Sequence, residues 1–578
     1  MCKTRAARSK HRESQVSAAK NAARNLGHPR PVAHSNPAGG PFTGVPGKPV
    51  VGLLGWKPAF GLSGVVACGA VTCLNLCLCL VVCLALSGCA QRKPDPHTAV
   101  MLIESSPLNL DPRIGTDAQS ERIGELIFEG LVRRDNDFQL RPRLAESWEI
   151  PDPLTYVFHL RRGVCFHDGR AMTSADVKWT LDSLLDGSVR SAKSSAYRYI
   201  DRVEARDEFT IIIRLKEPYA ALLWNLSDGA IGVVPAGAGE ELARNPVGTG
   251  PFRFVSQEQD RQVLLERNPE YWGTPAALGR VRFNVVPDAT TRALELRKGS
   301  ADVELDALPG DMVAMLARQP QLRLEQAPGT SYQYLAMNLR DPILQDVRVR
   351  QALAYAIDRG PMIHYLWHDM ARPANSILPP QHWAYDPGAR FYPYDPAKAR
   401  ELLDEAGHRP GPDGVRFHLL MKTSTDEGTR LFCAVLQQQL RAVGIALDIR
   451  SYEFATFYAD VVKGAFQLYS LRWVGGSNQD PDVFENVFDS ASFAPRRANR
   501  GYYSNPEVDR RIAEGRRSVD AQQRTAIYAE LQELLNEELP YVHLWWSDHV
   551  MVHSNRMENV QIDSAGSYDF LRTATLAN

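Results

Sequence analysis

Cysteine is nearly missing from most of this chain. Of nine cysteines, six fall between positions 68 and 89 and one is Cys2, so only Cys165 and Cys433 remain beyond Cys89. That count excludes a disulfide-stapled scaffold. No C-x-x-C pair offers a zinc site. Two distant cysteines leave room for one bridge or for two small buried side chains. The body also lacks internal repeats, low-complexity tracts and a G-x-S-x-G nucleophile elbow. A net charge of one sign is absent too, since 66 Lys and Arg face 67 Asp and Glu. This balance hides two unlike parts. Residues 1–57 hold ten basic residues and one acidic residue; residues 58–578 hold 56 and 66, a net charge of −10. An acidic body argues against nucleic acid as a partner.

What is present first is an apolar run without charge from Pro58 to Gln91. Its core, from about Gly64 to Leu86, is long enough to span a bilayer. It ends in Leu86-Ser87-Gly88-Cys89, which resembles a bacterial lipobox, where a secreted protein is cut and its new N-terminal cysteine lipidated. An uncleaved membrane anchor is the competing reading. Small residues and a cysteine where cleavage needs them, and Asn75 in mid-run, favour the lipobox. The expectation is a disordered basic leader over 1–57, a signal segment over 58–89, and lipidation at Cys89. The mature chain then sits in the periplasm or at the cell surface, tied to a membrane by acyl chains.

The rest, from about residue 97, exceeds what one core normally supports, so two or three lobes are expected. Tyr156, Phe158 and Leu160 alternate with Val157 and His159 as in a half-buried strand. His167-Asp168-Gly169 reads as the next turn. Thr173 caps a helix, with Asp176 three residues on and Val177, Leu181 and Leu184 along one face. Phe209 to Leu215 reads as a strand. Val349, Ala352, Leu353, Ala356 and Ile357 follow helical spacing. Another helix is fully punctuated: Asp395 caps it, Pro396 opens it, Ala399, Leu402, Leu403 and Ala406 form its apolar face, and Gly407 ends it. Gly444 to Tyr452, Gln467 to Trp473 and Tyr541 to Trp545 read as strands, the last after a helix at about 521–537. The pattern is an α/β body with mixed sheets.

Several segments together resemble the family 5 extracellular solute-binding proteins, the peptide- and nickel-type receptors of ABC importers. They are Leu108-Asn109-Leu110-Asp111-Pro112, Phe128-Glu129-Gly130-Leu131, Leu144 to Glu149, Thr155 to Leu181, Asn245 to Phe254, Asn268 to Trp272, Met337 to Arg359, Tyr394 to Gly407 and Tyr502 to Asp509. Each is weak alone; the full set in family order is strong. The resemblance implies a two-lobed periplasmic-binding-protein fold with a hinge and an extra subdomain in lobe one. Lobe I would take 97–332, including a subdomain at about 126–244. Lobe II would take 333–545, and 546–578 would return to lobe I. Solute touches both lobes only when they are closed, so it stabilises that state. The implied partners are a solute, most plainly an oligopeptide, and a membrane permease; a monomer without cofactor, metal or catalytic residue is expected.

Such a receptor needs a dry cavity, aromatic walls and a few polar groups. In peptide-binding relatives a segment starting with Trp lines the cleft and supplies an Asp for the peptide α-amino group. Here it reads Trp473-Val474-Gly475-Gly476-Ser477-Asn478-Gln479-Asp480-Pro481, with Gly476 where the Asp would align. Dipeptide-binding relatives also carry an Arg for the carboxylate; the corresponding loop, Lys422 to Glu427, has none. A buried ammonium without a carboxylate costs several kcal/mol, so a free dipeptide fits poorly. The candidate contacts are Trp473 as the wall, Gly475, Gly476, Asn478 and Asp480 from the same segment, Tyr332 and Asn338 bracketing the crossing segment, and Thr116 and Ala118 from an N-terminal loop. Asp480 is either a substitute carboxylate or a turn residue before Pro481. Trp473 is either wall or core. Tyr332 and Asn338 are either cleft or sheet packing.

Two other readings compete. An exported, membrane-anchored hydrolase finds a hook in Cys165-Phe166-His167-Asp168, with Cys165 and His167 on one strand face, but no second His or oxyanion motif accompanies them. A nickel or metal-chelate receptor finds His364 and His368 at helical spacing, without further ligands to complete a set.

Overall fold

The computed structural model describes residues 97–474 and 480–577. The leader, the apolar segment with Cys89, and Gly475, Gly476 and Asn478 lie outside the described residues. Among the described residues no helix is long and apolar enough to cross a membrane.

Two long strands form the spine. Leu322–Met337 and Tyr541–Ser554 run antiparallel, with register breaks between Ala327 and Ser331 and between Gln333 and Tyr334. To one side lie Val303–Leu305, Thr98–Ile103, Arg280–Val285, Gln262–Arg267 and Phe252–Glu258. To the other lie Leu468–Trp473, Phe417–Ser424 and Ile445–Tyr452. Parallel and antiparallel pairs mix in this sheet. Its two halves carry separate cores. Met101, Phe128, Phe252 and Phe283 belong to one; Leu353, Leu403, Leu419 and Leu436 belong to another. The fold is α/β and two-lobed, and the two spine strands belong to both halves.

The smaller sheet is antiparallel: Ala145–Asp152, Thr155–Leu160, Thr210–Leu215 and Ile200–Asp207 in that order. The helix Ser174–Leu185 packs on it, with Val177, Leu181 and Leu184 buried as their spacing requires. The Thr173 N–H donates to the Asp176 carboxylate at 2.8 Å, which seals the first turn. Thr155–Leu160 departs from a half-buried strand. It lies inside the sheet, and Val157 is buried along with Tyr156, Phe158 and Leu160. The helix Pro396–Glu405 follows its punctuation closely: Asp395 accepts from the N–H groups of Ala397 and Lys398, and Gly407 takes φ +85°. The strand expected to end at Trp545 continues to Ser554.

Candidate functional site

The family-like segments near Glu129 build a scaffold. Glu129 is fully buried. It accepts from the Thr249 hydroxyl at 2.7 Å, the Tyr271 hydroxyl at 2.6 Å and the Trp272 indole at 2.7 Å, and it pairs with Arg143 at 3.0 Å. Three separate stretches of the chain are thereby tied to one carboxylate. The neighbouring Gly248 has no room for a side chain, because a Cβ there would lie 2.0 Å from the Ile127 carbonyl oxygen. The His167 imidazole is taken up by this same loop. One ring nitrogen lies 3.0 Å from the Gly250 carbonyl and the other accepts from the Gly248 N–H at 3.3 Å. Burial pushes its pKa down to about 4, so it stays neutral. With both nitrogens engaged it is a poor general base for Cys165. Cys433 is a free, buried thiol, so no bridge joins it to Cys165.

The nickel hook also comes apart. The helix Arg359–Trp367 stops before His368, which takes the left-handed cap at φ 50°. His364 faces Asp369 instead, at 3.0 Å.

Trp473 ends the strand Leu468–Trp473, in register with Tyr332. Its ring stacks on Tyr334 at 6.4 Å and 19° and stays partly exposed. Tyr332 has no exposed surface; its hydroxyl meets the His543 ring, which burial keeps neutral with a pKa near 3. Asn338 donates to the Gly464 and Phe466 carbonyls at 3.1 and 2.9 Å. Tyr332 and Asn338 therefore hold lobe II together from within. Asp480 is buried and bound by Arg524 at 2.8 and 3.0 Å. It also accepts from the Asp482 N–H at 3.0 Å. Its charge is already matched, so it does not stand open for an ammonium. Thr116 and Ala118 are exposed at the start of the helix Ala118–Ile127, which Asp117 caps.

A cavity of about 430 Å³ lies where the small sheet meets the other lobe. Leu140, Ile150, Tyr156 and Trp224 come from the small-sheet body; Trp383 and Arg524 face them. The volume and the largely aromatic and aliphatic walls suit a small solute. Direct contacts bound it. Arg198 pairs with Glu485 at 3.2 Å. The Tyr219 hydroxyl donates to Asp482 at 2.8 Å, and the Ala220 N–H donates to the Arg516 carbonyl at 3.0 Å. Phe138 packs on His382 at 5.1 Å. Sequence reasoning missed Arg198, Tyr219, Glu485 and Arg524, because each matters through a partner far away in the chain.

Comparison with known proteins points to solute-binding receptors. The family described as bacterial extracellular solute-binding proteins, family 5 Middle, matches residues 139–495. The glutathione-binding protein GsiB of Pectobacterium atrosepticum is 32% identical over 471 residues, covering 79% of this chain and 90% of that protein. Among solved structures, the ABC transporter-associated periplasmic binding protein DppA of Helicobacter pylori, in complex with the peptide STSA, superposes with a TM-score of 0.69. It is 26% identical, covering 83% of this chain and 98% of that one. NikZ of Campylobacter jejuni, in complex with Ni(L-His), gives a TM-score of 0.72 at 25% identity, covering 83% of this chain and all of that one.

Proposed function

The chain belongs to the bacterial extracellular solute-binding proteins of family 5, receptors that deliver a solute to an ABC importer, and we propose that its own solute is a short peptide of three residues or more. The observation that carries this reading is the cavity of about 430 Å³ walled by both bodies. A solute enclosed there touches two bodies at once and stabilises their closed arrangement. Nothing in this role requires bond-breaking. Asp480 is neutralised by Arg524, so no free carboxylate in that pair awaits a dipeptide's ammonium. A longer peptide depends less on its ends, since backbone hydrogen bonds along its length supply affinity. Glutathione, for which the 32% identical relative is named, is the first compound to test.

Lipidation at Cys89 completes the proposal, with the receptor held beside its permease on a membrane surface. Cys89→Ser should move the protein from the membrane fraction to the soluble one. Native mass spectrometry of the purified chain, followed by calorimetric titration with glutathione and tripeptides, tests the solute. Binding with a Kd in the micromolar range or tighter supports it. Stoichiometric nickel retained through equilibrium dialysis, with no peptide binding, overturns it in favour of a metal-chelate receptor.

A further inference from the structure

The groups around Trp473 are unbalanced in one direction. Arg500 is half-buried, and no carboxylate lies within 4 Å of it among the described residues. One guanidinium nitrogen donates to the Tyr458 hydroxyl at 2.9 Å. The guanidinium carbon lies 5.2 Å from the Tyr458 ring and 5.6 Å from the Trp473 ring. Burial opposes its charge, yet the neighbouring phenols of Tyr469, Tyr334 and Tyr541 leave its pKa raised. The indole N–H of Trp473, whose ring faces this guanidinium, is buried and has no acceptor. Elsewhere in this lobe Arg524 has Asp480, Arg497 and Arg516 share Glu485, and the buried Arg350 and Arg359 are taken up by backbone carbonyls; among the described residues Arg500 has neither. At Arg500 there is a cation and an orphaned donor, with aromatic faces and no anion. A buried donor without an acceptor is costly, and an unpaired buried charge more so. The arrangement lacks what a carboxylate would supply: a negative charge and acceptor lone pairs.

We propose that Arg500 and the Trp473 indole N–H together anchor a carboxylate of the solute, so that the receptor selects anionic peptides. The inference rests on the peptide reading above and narrows it. The loop Lys422 to Glu427, where dipeptide receptors hold their arginine, has none; Arg500 supplies the charge from another part of the lobe. Either a C-terminal carboxylate or an acidic side chain satisfies the same chemistry.

The test is calorimetric titration of the whole exported chain with three probes: trialanine, its C-terminal amide, and the amide of Ala-Glu-Ala. The wild type should bind trialanine at least about tenfold more tightly than its amide, as a charge-assisted pair implies. Arg500→Gln should abolish that preference. Arg500→Lys should keep part of it. Trp473→Phe, which keeps a ring and loses the N–H, should reduce it. Arg500 also holds Tyr458, so the thermal midpoint of each variant is measured alongside; Arg500→Lys keeps the test valid if Arg500→Gln does not fold. If the Ala-Glu-Ala amide outbinds the trialanine amide in the wild type but not in Arg500→Gln, the anchor stands with a side chain as its source. If the wild type binds all three probes equally, or Arg500→Gln and Arg500→Lys keep the full preference, the anchor is overturned and the peptide reading survives. If the wild type binds none of them and no other peptide, the peptide reading fails and the anchor falls with it.

Discussion

Asp480 is a buried carboxylate whose charge Arg524 matches. Its place between a glycine-rich segment and Pro481 suits either a turn or a substitute for the missing carboxylate. The structure gives it Arg524, 44 positions away, one guanidinium nitrogen of which donates to both carboxylate oxygens inside the protein. Removing one member of a buried pair leaves the other charge uncompensated, which costs about 3–5 kcal/mol. Asp480→Asn should therefore lower unfolding stability by about that amount, read from urea denaturation. The double variant Asp480→Asn/Arg524→Met should recover a large part of the loss. A lost affinity with unchanged stability would instead mean that Asp480 meets solute. Glu304 makes a second residue-scale case. It is fully buried, and its Oε1 has no hydrogen-bond partner. Burial pushes its pKa from 4.5 up to about 8. In the unfolded chain the group loses its proton near pH 4.5, and in the folded protein only near pH 8. The folded state thus binds more protons across that window, and stability falls as pH rises through it. Glu304→Gln should flatten this slope, so that thermal midpoints at pH 6 and pH 9 differ less than in the wild type. None of this was legible in sequence, because a glutamate in a short strand looks like any solvated one. Thr173, Asp176 and Asp395 were legible, since a cap acts on its own next turn.

At the scale of elements, local signals gave the helices and the strand starts, and long-range pairing gave the rest. Asp395, Pro396 and Gly407 bracket a helix without help from elsewhere. The sequence predicts a strand over Tyr541 to Trp545, and the structure carries it through Ser547, Asp548 and His549 to Ser554. They continue as strand because Leu322–Met337 and Ala371–Pro373 supply hydrogen-bond partners on either side. The register break at Ala327/Ser331 falls at Pro328-Gly329, in the middle of the crossing. A proline cannot donate to the ladder, and Gly329 admits the opposite strand closely. A Cβ on Gly329 would lie 2.4 Å from the Ser547 carbonyl oxygen. Gly329→Ala should force the two strands apart and lower stability by about 1–3 kcal/mol, seen as a depressed thermal midpoint. Gly124→Ala is the control. That glycine is inside the helix Ala118–Ile127 with nothing within 4 Å of an added Cβ, so alanine should be neutral or stabilise by up to about 1 kcal/mol.

For the whole molecule, what matters is how two bodies stay together around a solute. Family resemblance in the sequence pointed to the lobes and the hinge; the contacts between the small-sheet body and the other lobe left no trace there. Glu485 is the centre of one such contact. It pairs with Arg497 at 2.6 Å and Arg516 at 3.5 Å from its own lobe, and with Arg198 at 3.2 Å from the small-sheet body. Three guanidinium groups share one part-buried carboxylate. Without its charge they would repel one another, and the cheapest relief is for Arg198 to move away with its body. The hydrogen bonds from Tyr219 to Asp482 and from the Ala220 N–H to the Arg516 carbonyl, and the Arg516–Glu217 pair, would still resist. Glu485→Gln should therefore shift the protein toward an open arrangement. The expected outcome is a several-fold weaker solute affinity carried mainly by faster release, because the contact forms after encounter and is lost before escape. Small-angle scattering of the solute-saturated variant should show a larger radius of gyration than the wild type. Tyr219→Phe removes one neutral donor and should give the same change at smaller amplitude. If Glu485→Gln leaves release rate and radius unaltered while its thermal midpoint falls, the ion cluster only stabilises one body, and closure depends on the solute alone.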